Sequence, residues 1–415
     1  MNQSWKFATR SIHGGIDKDL KHGATIAPIY QNSAFSYDTA EELSDVFQGR
    51  KFGYIYSRIA NPTVTVLEQR INSLENGRGT IATASGMAAI ATVLYTLVQP
   101  GDEIISSKSL FGGTLQLFTE IFAEYGVQVI FVDAVDIEAY RKAISGKSRL
   151  IFLETIGNPK LDIPDIQKIA AIAKENNLPL VLDNTLATPY LFQAKQFGVN
   201  IVIHSTSKYI TGSGNTIGGV LVDLGNFDWS ATRSKAIGEI YSKAGDFAFL
   251  ARARRQVLQN TGSCLAPFNA YLQSLGLETL GLRMERHCQN ALELAKFLHD
   301  SQRVEAVNYP GLNSNPGYPV ADNQFNGKFG GLLTLRLGSP ERCFKLINRL
   351  RMVKNLANLG DAKTLIVHPA STIYFNCTES EKIDAGVYPD LLRVSVGIED
   401  IHDIIDDFNE ALSEV

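Results

Sequence analysis

The pattern of apolar and polar residues predicts an α/β fold, with a mostly parallel sheet in a three-layer large domain and a smaller α+β C-terminal domain. Three observations carry this. Between about residues 78 and 223, short β-branched runs alternate with helix-length amphipathic stretches. The runs are apolar almost throughout, as strands covered on both faces are. From about residue 260 the rhythm changes to two long helices followed by isolated strands.

In chain order, the first strands are expected at Gly79–Ala84, Glu103–Ser107, Val127–Val132, Leu150–Glu154, Leu180–Asp183, Ile201–His204 and Gly219–Val222. Between them lie helical patterns at Met87–Val98, Leu115–Tyr125 and Ile166–Glu175. The second domain offers helices Pro267–Leu275 and Leu277–His299, then strands Gly331–Leu337 and Asp390–Val396. Tyr309–Gln324, rich in Pro, Gly and Asn, is expected to be a surface loop. The start of the chain lacks this rhythm, and its aromatic pieces (Ile29-Tyr30-Gln31-Asn32, Phe52-Gly53-Tyr54-Ile55-Tyr56) suit an arm lying on another surface. The expected division is an N-terminal arm (1–55), a large domain (56–260) and a small domain (261–415). Ligands of such sheets sit at the carboxyl ends of the strands.

Composition narrows the function. The chain has 415 residues, 45% hydrophobic and 20% charged, with a formal charge of −4. That balance offers no basic surface for nucleic acid and no block of like charge. No apolar run reaches the roughly 20 residues of a membrane span. The start, Met1-Asn2-Gln3-Ser4-Trp5-Lys6, lacks the layout of a secretion signal. Cys264, Cys288, Cys343 and Cys377 stand singly, and the seven histidines lack metal-ligand spacing. A reduced cytoplasm and no metal are therefore expected.

Chemistry concentrates after three strands. Ser85-Gly86-Met87 opens a helix, whose free N–H groups and positive end can receive a phosphate. Alone, the segment is more simply a tight strand-to-helix turn. Asp183 ends an apolar strand, where a carboxylate is costly unless paired. It is either the partner of a cationic ring nitrogen or a cap for the next turn. Lys208 follows the next strand within His204-Ser205-Thr206-Ser207-Lys208-Tyr209. An amine there can be desolvated and less basic, as imine formation requires, while Ser205 and Ser207 can donate to a phosphate. Together these are the parts that hold pyridoxal 5′-phosphate. His204 is expected to be a satisfied core histidine. Thr211-Gly212-Ser213-Gly214-Asn215 lacks the full dinucleotide fingerprint.

These residues resemble the Cys/Met-metabolism group of pyridoxal-phosphate enzymes, from about Thr9 to Leu412, with the closest likeness to the O-acetylhomoserine sulfhydrylases. The resemblance implies the aspartate-aminotransferase-like fold (fold type I), Lys208 as the Schiff-base lysine and Asp183 as the partner of the pyridine nitrogen. It places Ser85, Gly86, Met87, Ser205 and Ser207 around the phosphate. Tyr56-Ser57-Arg58-Ile59-Ala60-Asn61-Pro62-Thr63 matches the group's Tyr-Ser-Arg-x-x-Asn-Pro-Thr, which implies that Tyr56 and Arg58 reach the phosphate in a neighbouring subunit. Tyr56 is also implied as a catalytic helper that meets the substrate. A homodimer is then the minimum, and a tetramer is usual for the group. Arg393 matches the clamp for the substrate α-carboxylate, and Asn158 an asparagine near the ring hydroxyl. Asn358, in the run Asn358–Pro369, lies on the substrate side and leans the match toward the sulfhydrylases. Without the match, Arg58 would be a surface arginine and Arg393 a strand residue in a salt bridge.

Two departures stand out. The group's ring-stacking tyrosine is Phe111 here, which keeps the stacking surface but loses the hydroxyl. Acetate leaves without a strong acid, so Phe111 fits an O-acyl substrate better than a lyase substrate. Thr372-Ile373-Tyr374-Phe375 stands where Thr-Thr-His-Ser/Gln is expected, at the substrate entrance.

The resemblance implies γ-replacement on O-acetylhomoserine, with sulfide, a thiol or a sulfur-carrier protein as donor, giving homocysteine and acetate for methionine biosynthesis. A cystathionine γ-synthase or a γ-lyase is the alternative within the group. A catalytically silent cofactor-binding homologue and a nicotinamide-dependent oxidoreductase are weaker ones.

Overall fold

The protein is described by a computed structural model covering residues 5–15 and 21–415. Met1–Ser4 and residues 16–20, both parts of the expected arm, lie outside the described residues.

Seven strands form the large sheet: β1 (Gly79–Thr83), β2 (Glu103–Ser107), β3 (Gln128–Val132), β4 (Ser148–Glu154), β5 (Leu180–Asp183), β6 (Ile201–His204) and β7 (Gly219–Asp223). Their order is β1-β7-β6-β5-β4-β2-β3, and only β7 runs antiparallel to its neighbours. The carboxyl ends of the other six therefore share one edge. Period two decides which way each side chain faces. Leu180 and Leu182 of β5 enter one core cluster, while Val181 enters the other. Helices cover both faces, as buried parallel strands require.

The helices begin where the sequence caps them. Asn61 accepts the Thr63 N–H (2.9 Å) ahead of Pro62–Glu75, with Pro62 at its first turn. Ser85 accepts the Ala88 N–H (3.1 Å) at the start of Gly86–Leu97, and Asp165 the Lys168 N–H (3.1 Å) at Ile166–Glu175. The expected helix Leu115–Tyr125 begins earlier, at Gly112, and widens into a π turn over Leu117–Phe122.

A second sheet joins β8 (Ala306–Asn308), β9 (Leu332–Arg336), β10 (Lys354–Asn355), β11 (Leu365–Val367) and β12 (Leu391–Ser395) in the order β10-β11-β12-β9-β8. It is antiparallel except for the pair β10 and β11. Helices Leu280–His299 and Ile401–Ser413 pack together beside it.

One expected segment changes character. Residues 309–324 are not a surface loop: Tyr309 is fully buried, donates its hydroxyl to Gly330 O (2.9 Å), and is followed by helix Tyr318–Phe325. The Pro, Gly and Asn that suggested a loop sit at the turns flanking this buried anchor. The first helix after residue 260, Pro267–Glu278, packs on Pro62–Glu75, where Arg70 donates to Ser274 O (3.0 Å). The arm's first helix, Phe7–His13, also rests on its own chain, with Phe7 against Tyr190 and Arg10 donating to Ser73 O (2.7 Å). Among the described residues no helix is long and apolar enough to cross a membrane, and no cluster of side chains is fit to hold a metal.

Candidate active site

Lys208 lies just past β6, at the shared edge, and points its amine at a residue 150 positions away: Nζ donates to Asn358 Oδ1 at 2.6 Å. Burial, helped by the positive charge of Arg393, lowers this amine from 10.5 to about 8. Two features fix the lysine's backbone. Gly360 adopts φ +72°, and a Cβ there would stand 2.6 Å from Tyr209 N and 3.0 Å from Lys208 C. Only glycine lets the Asn358 loop lie on the lysine's main chain. Arg283 grips the following turn, with Nη1 on Tyr209 O (2.5 Å) and Nη2 on Ile210 O (3.1 Å) and Gly276 O (2.6 Å). The pattern of the sequence did not single out Arg283, because a guanidinium bound to carbonyls and the Thr279 hydroxyl (3.1 Å) leaves no acidic partner to look for.

Asp183 ends β5, beside Lys208's strand. Its carboxylate accepts the Thr185 N–H (3.0 Å) and hydroxyl (2.5 Å), and Thr185 Oγ1 in turn accepts the Ser205 N–H (2.8 Å). Burial raises the acid above its ordinary range, opposed by Thr185 and by His204 nearby. Among the described residues no cation forms an ion pair with Asp183. An acid so placed suits a cationic ligand atom. Thr185, unremarked in the sequence, is the residue that aims it. His204 is the core histidine expected, fully buried with Nε2 2.5 Å from Glu75 Oε1.

Ser85, Gly86, Met87, Ser205 and Ser207 line one cavity with Lys208. At Gly86 a Cβ would meet Ser205 Cβ at 2.6 Å, so the missing side chain brings the helix N-terminus against the Ser205 turn. The Ser207 hydroxyl accepts the Gly218 N–H (3.0 Å), which closes the far wall. A helix start with free N–H groups and serine hydroxyls is the donor set a phosphate needs.

Arg393, on β12, enters the adjoining cavity together with Asn158, Asp183 and Lys208. Nη1 donates to Asn158 Oδ1 (3.1 Å) and Nη2 to Asn358 O (3.0 Å), while Nε has no partner. No carboxylate pairs with it among the described residues, so it is not a strand salt bridge. Burial brings this guanidinium down to about 10. A buried cation lacking a counter-ion, with a free N–H to donate, is a ready partner for a ligand carboxylate.

Phe111 stands at the mouth of both cavities. Its N–H donates to Glu154 Oε1 (2.7 Å), on an acid raised well above its ordinary range by burial and by Asp183. Tyr374, one of the departures, is buried, and its hydroxyl lies 3.1 Å from Leu110 O and 3.0 Å from Asn158 O. It ties the loop of Phe111 to the loop of Asn158. The preceding Ile373 lines the cavity.

Tyr56 and Arg58 are not brought to Lys208 within one chain. Arg58 lies over the Tyr56 ring at 5.6 Å, donates to Gln259 O, and borders a separate cleft beside Arg254. The other sequence-selected residues converge. The lysine, the unpaired acid and the helix-end donor set fit pyridoxal phosphate in kind and arrangement.

Comparison with known proteins agrees. The model of the family described as Cys/Met metabolism PLP-dependent enzyme matches residues 8–413. The O-acetyl-L-homoserine sulfhydrylase of Leptospira meyeri is 40% identical, over 100% of this chain and 98% of its own. The homocysteine synthase of Schizosaccharomyces pombe is 39% identical, over 99% of each. Among solved structures, a Campylobacter jejuni protein assigned as an O-acetylhomoserine (thiol)-lyase, carrying N′-pyridoxyl-lysine-5′-monophosphate, superposes with a TM-score of 0.91 at 33% identity, over 99% of this chain and 100% of that one. The cystathionine gamma-lyase of Lactobacillus plantarum gives 0.85 at 33% identity, over 99% of each. With the cavity built as it is and the likeness running nearly end to end, this chain belongs to the Cys/Met-metabolism family of pyridoxal-phosphate-dependent enzymes.

Proposed function

We propose that the protein is an O-acetylhomoserine sulfhydrylase, a transferase that replaces the acetoxy group of O-acetyl-L-homoserine with sulfur to give L-homocysteine and acetate, a step of methionine biosynthesis. One observation carries the reading. A buried amine of lowered basicity shares a cavity with an unpaired acid and an arginine that has no counter-ion. The full-length likeness to sulfhydrylases and homocysteine synthases supports the substrate.

The residues divide the work. Bound pyridoxal phosphate supplies the electron sink for charge developing on the substrate carbons. Asp183 holds the ring nitrogen cationic, and Ser85, Gly86, Met87, Ser205 and Ser207 bind the phosphate. Asn158 stands near the ring hydroxyl, and Phe111 offers a face for stacking. Arg393 binds the α-carboxylate and Asn358 steadies the freed amine. Lys208 takes the Cα proton and returns protons in the second half of the reaction, a task suited to an amine at about 8. Phe111 has no proton to give, which suits a leaving group that needs none. The γ-lyase reading is the weaker for this, because a departing thiolate gains much from protonation.

The reading extends to assembly. Tyr56 and Arg58 do not line the cavities of their own Lys208 and serve the phosphate and substrate of a neighbouring subunit, so the working unit is a homodimer or a tetramer of such pairs. The arm (1–55), large domain (56–260) and small domain (261–415) are the units proposed, with free cysteines that suit the cytoplasm. Free sulfide, a thiol or a carrier protein can bring the sulfur. The test is steady-state turnover of O-acetyl- and O-succinylhomoserine against sulfide, cysteine and water, with borohydride trapping of the loaded enzyme. Acetate release that depends on sulfide, and label on Lys208, are expected. Label on another lysine, or equal turnover with water alone, would overturn the proposal.

A further inference from the structure

We propose that a separate cavity, between helix Leu280–His299 and the turn after Tyr309, binds a small monocarboxylate with an apolar tail, and that the turn of Lys208 senses its occupancy. The sulfhydrylase reading is not needed for this. The cavity measures about 490 Å³ and shares no lining residue with the two cavities around Lys208. Volumes of this order hold small molecules. Leu292, Lys296 and His299 stand at spacings of four and three on the helix, so they share one face of it. The other wall is the turn from Gly311 to Ser314 together with the rings of Tyr318 and Phe329, 5.5 Å apart. Among the described residues, neither Lys296 nor His299 has an acidic partner, and no Asp or Glu lines the cavity. Cations in a last turn complement the helix dipole. The dipole does not account for the apolar hollow they overlook. A ligand that answers both features carries a negative charge and an apolar tail.

Both walls lead to Lys208. The helix that carries Leu292, Lys296 and His299 also carries Arg283, which holds the carbonyls of Tyr209 and Ile210 just after the lysine. Phe329, on the other wall, is followed by two glycines. A Cβ on Gly330 would stand 3.4 Å from Ile156 Cδ1, and Ile156 lines the cofactor's cavity. A Cβ on Gly331 would stand 2.9 Å from the Tyr209 hydroxyl oxygen and 3.1 Å from His287 Cβ. This short segment therefore separates the two cavities, with the Phe329 ring lining one and the glycine backbone set against the side chains of the other. The turn lies directly on the same ring, since a Cβ on Gly311 would come within 2.5 Å of Phe329 Cδ2. Tyr309, at the foot of the turn, donates to Gly330 O (2.9 Å). A ligand seated between Phe329 and the helix braces the two elements that hold the lysine's main chain. Close-packed elements pass such contacts on, because they have little room to absorb them. The effect is reciprocal: the factor by which the ligand raises affinity for the cofactor is the factor by which the cofactor raises affinity for the ligand.

Calorimetric titration of the holoenzyme with hexanoate, 1-hexanol and acetate tests the site. Hexanoate should bind saturably, once per chain. 1-Hexanol, which lacks the charge, should bind about 5-fold more weakly. Acetate, which lacks the tail, should bind at least about 10-fold more weakly. Lys296→Gln combined with His299→Gln, both at exposed positions, should weaken hexanoate by about 5-fold and leave the absorption band of the bound cofactor unchanged. Ser314→Glu, which sets an acid on the exposed rim, should weaken hexanoate as much and spare 1-hexanol. The apoenzyme should bind hexanoate about 3-fold more weakly than the holoenzyme. No saturable binding of hexanoate in the millimolar range, or equal binding of the three probes, overturns the proposal. So does hexanoate binding that both variants leave intact, since the ligand would then sit on Arg393. Equal affinity of apoenzyme and holoenzyme overturns the link to Lys208.

Discussion

Replacing Arg393 with Met removes the guanidinium and keeps an unbranched side chain of similar reach. Burial holds that guanidinium at about 10 against an ordinary 12.5, which corresponds to roughly 3 kcal/mol spent keeping a charge where nothing neutralises it. A substrate carboxylate arriving at Nε, the nitrogen without a partner, relieves this. The variant should therefore lose about 100-fold in kcat/KM for O-acetylhomoserine, since each 1.4 kcal/mol is tenfold. The assay includes 3-acetoxypropylamine, the same molecule without its carboxylate. That compound should already be poor with the unaltered enzyme and should respond to the substitution by less than about 3-fold. The absorption band of the bound cofactor should persist, because Arg393 is assigned to substrate. If both compounds lose equally, or if kcat/KM for O-acetylhomoserine changes by less than about 5-fold, the carboxylate assignment is wrong.

Cofactor loading of the apoenzyme should speed up as pH rises through about 8, where Lys208 becomes neutral; stopped-flow absorbance follows it. In Arg393→Met the midpoint should move upward, since removing a nearby positive charge favours the ammonium form. A midpoint near the ordinary lysine value in the unaltered enzyme would contradict the burial seen. Gly360→Ala should destabilise the fold by about 2–4 kcal/mol in denaturant, from a strained φ and a Cβ 2.6 Å from Tyr209 N, and should slow loading as Asn358 withdraws. Phe111→Tyr should change O-acetylhomoserine turnover by less than about 5-fold; a large gain would show that the leaving group needs an acid after all.

Much of this was legible in the chain. Near-continuous apolar runs placed β5 and β6 to the residue, because strands buried on both faces are apolar throughout and stop at the first polar residue. The site residues on this framework, Asp183 and Lys208, could be named from their place after those strands. Asn358 and Arg393 could be named only through the resemblance, and the other partners that tune them could not be named at all. Thr185 looks like any threonine in a turn, and Glu154 like the end of a strand. Asn358 meets Lys208 across 150 positions, a distance over which no periodicity carries information. Tyr309 shows the converse, an anchor hidden among loop-forming residues because local composition outweighed one aromatic ring. Tyr56 and Arg58 are legible only as a motif, since their own chain leaves them apart from the amine.

The bond between Lys208 and Asn358 has a consequence for the order of events in the cell. A chain leaving the ribosome has its lysine, its acid and its phosphate turn long before residue 358 exists, and longer still before Arg393. Until residues 358 to 393 have been made and docked, the amine lacks both its acceptor and the charge that helps keep it weakly basic. A product that stops before residue 358 should therefore load the cofactor poorly and remain colourless.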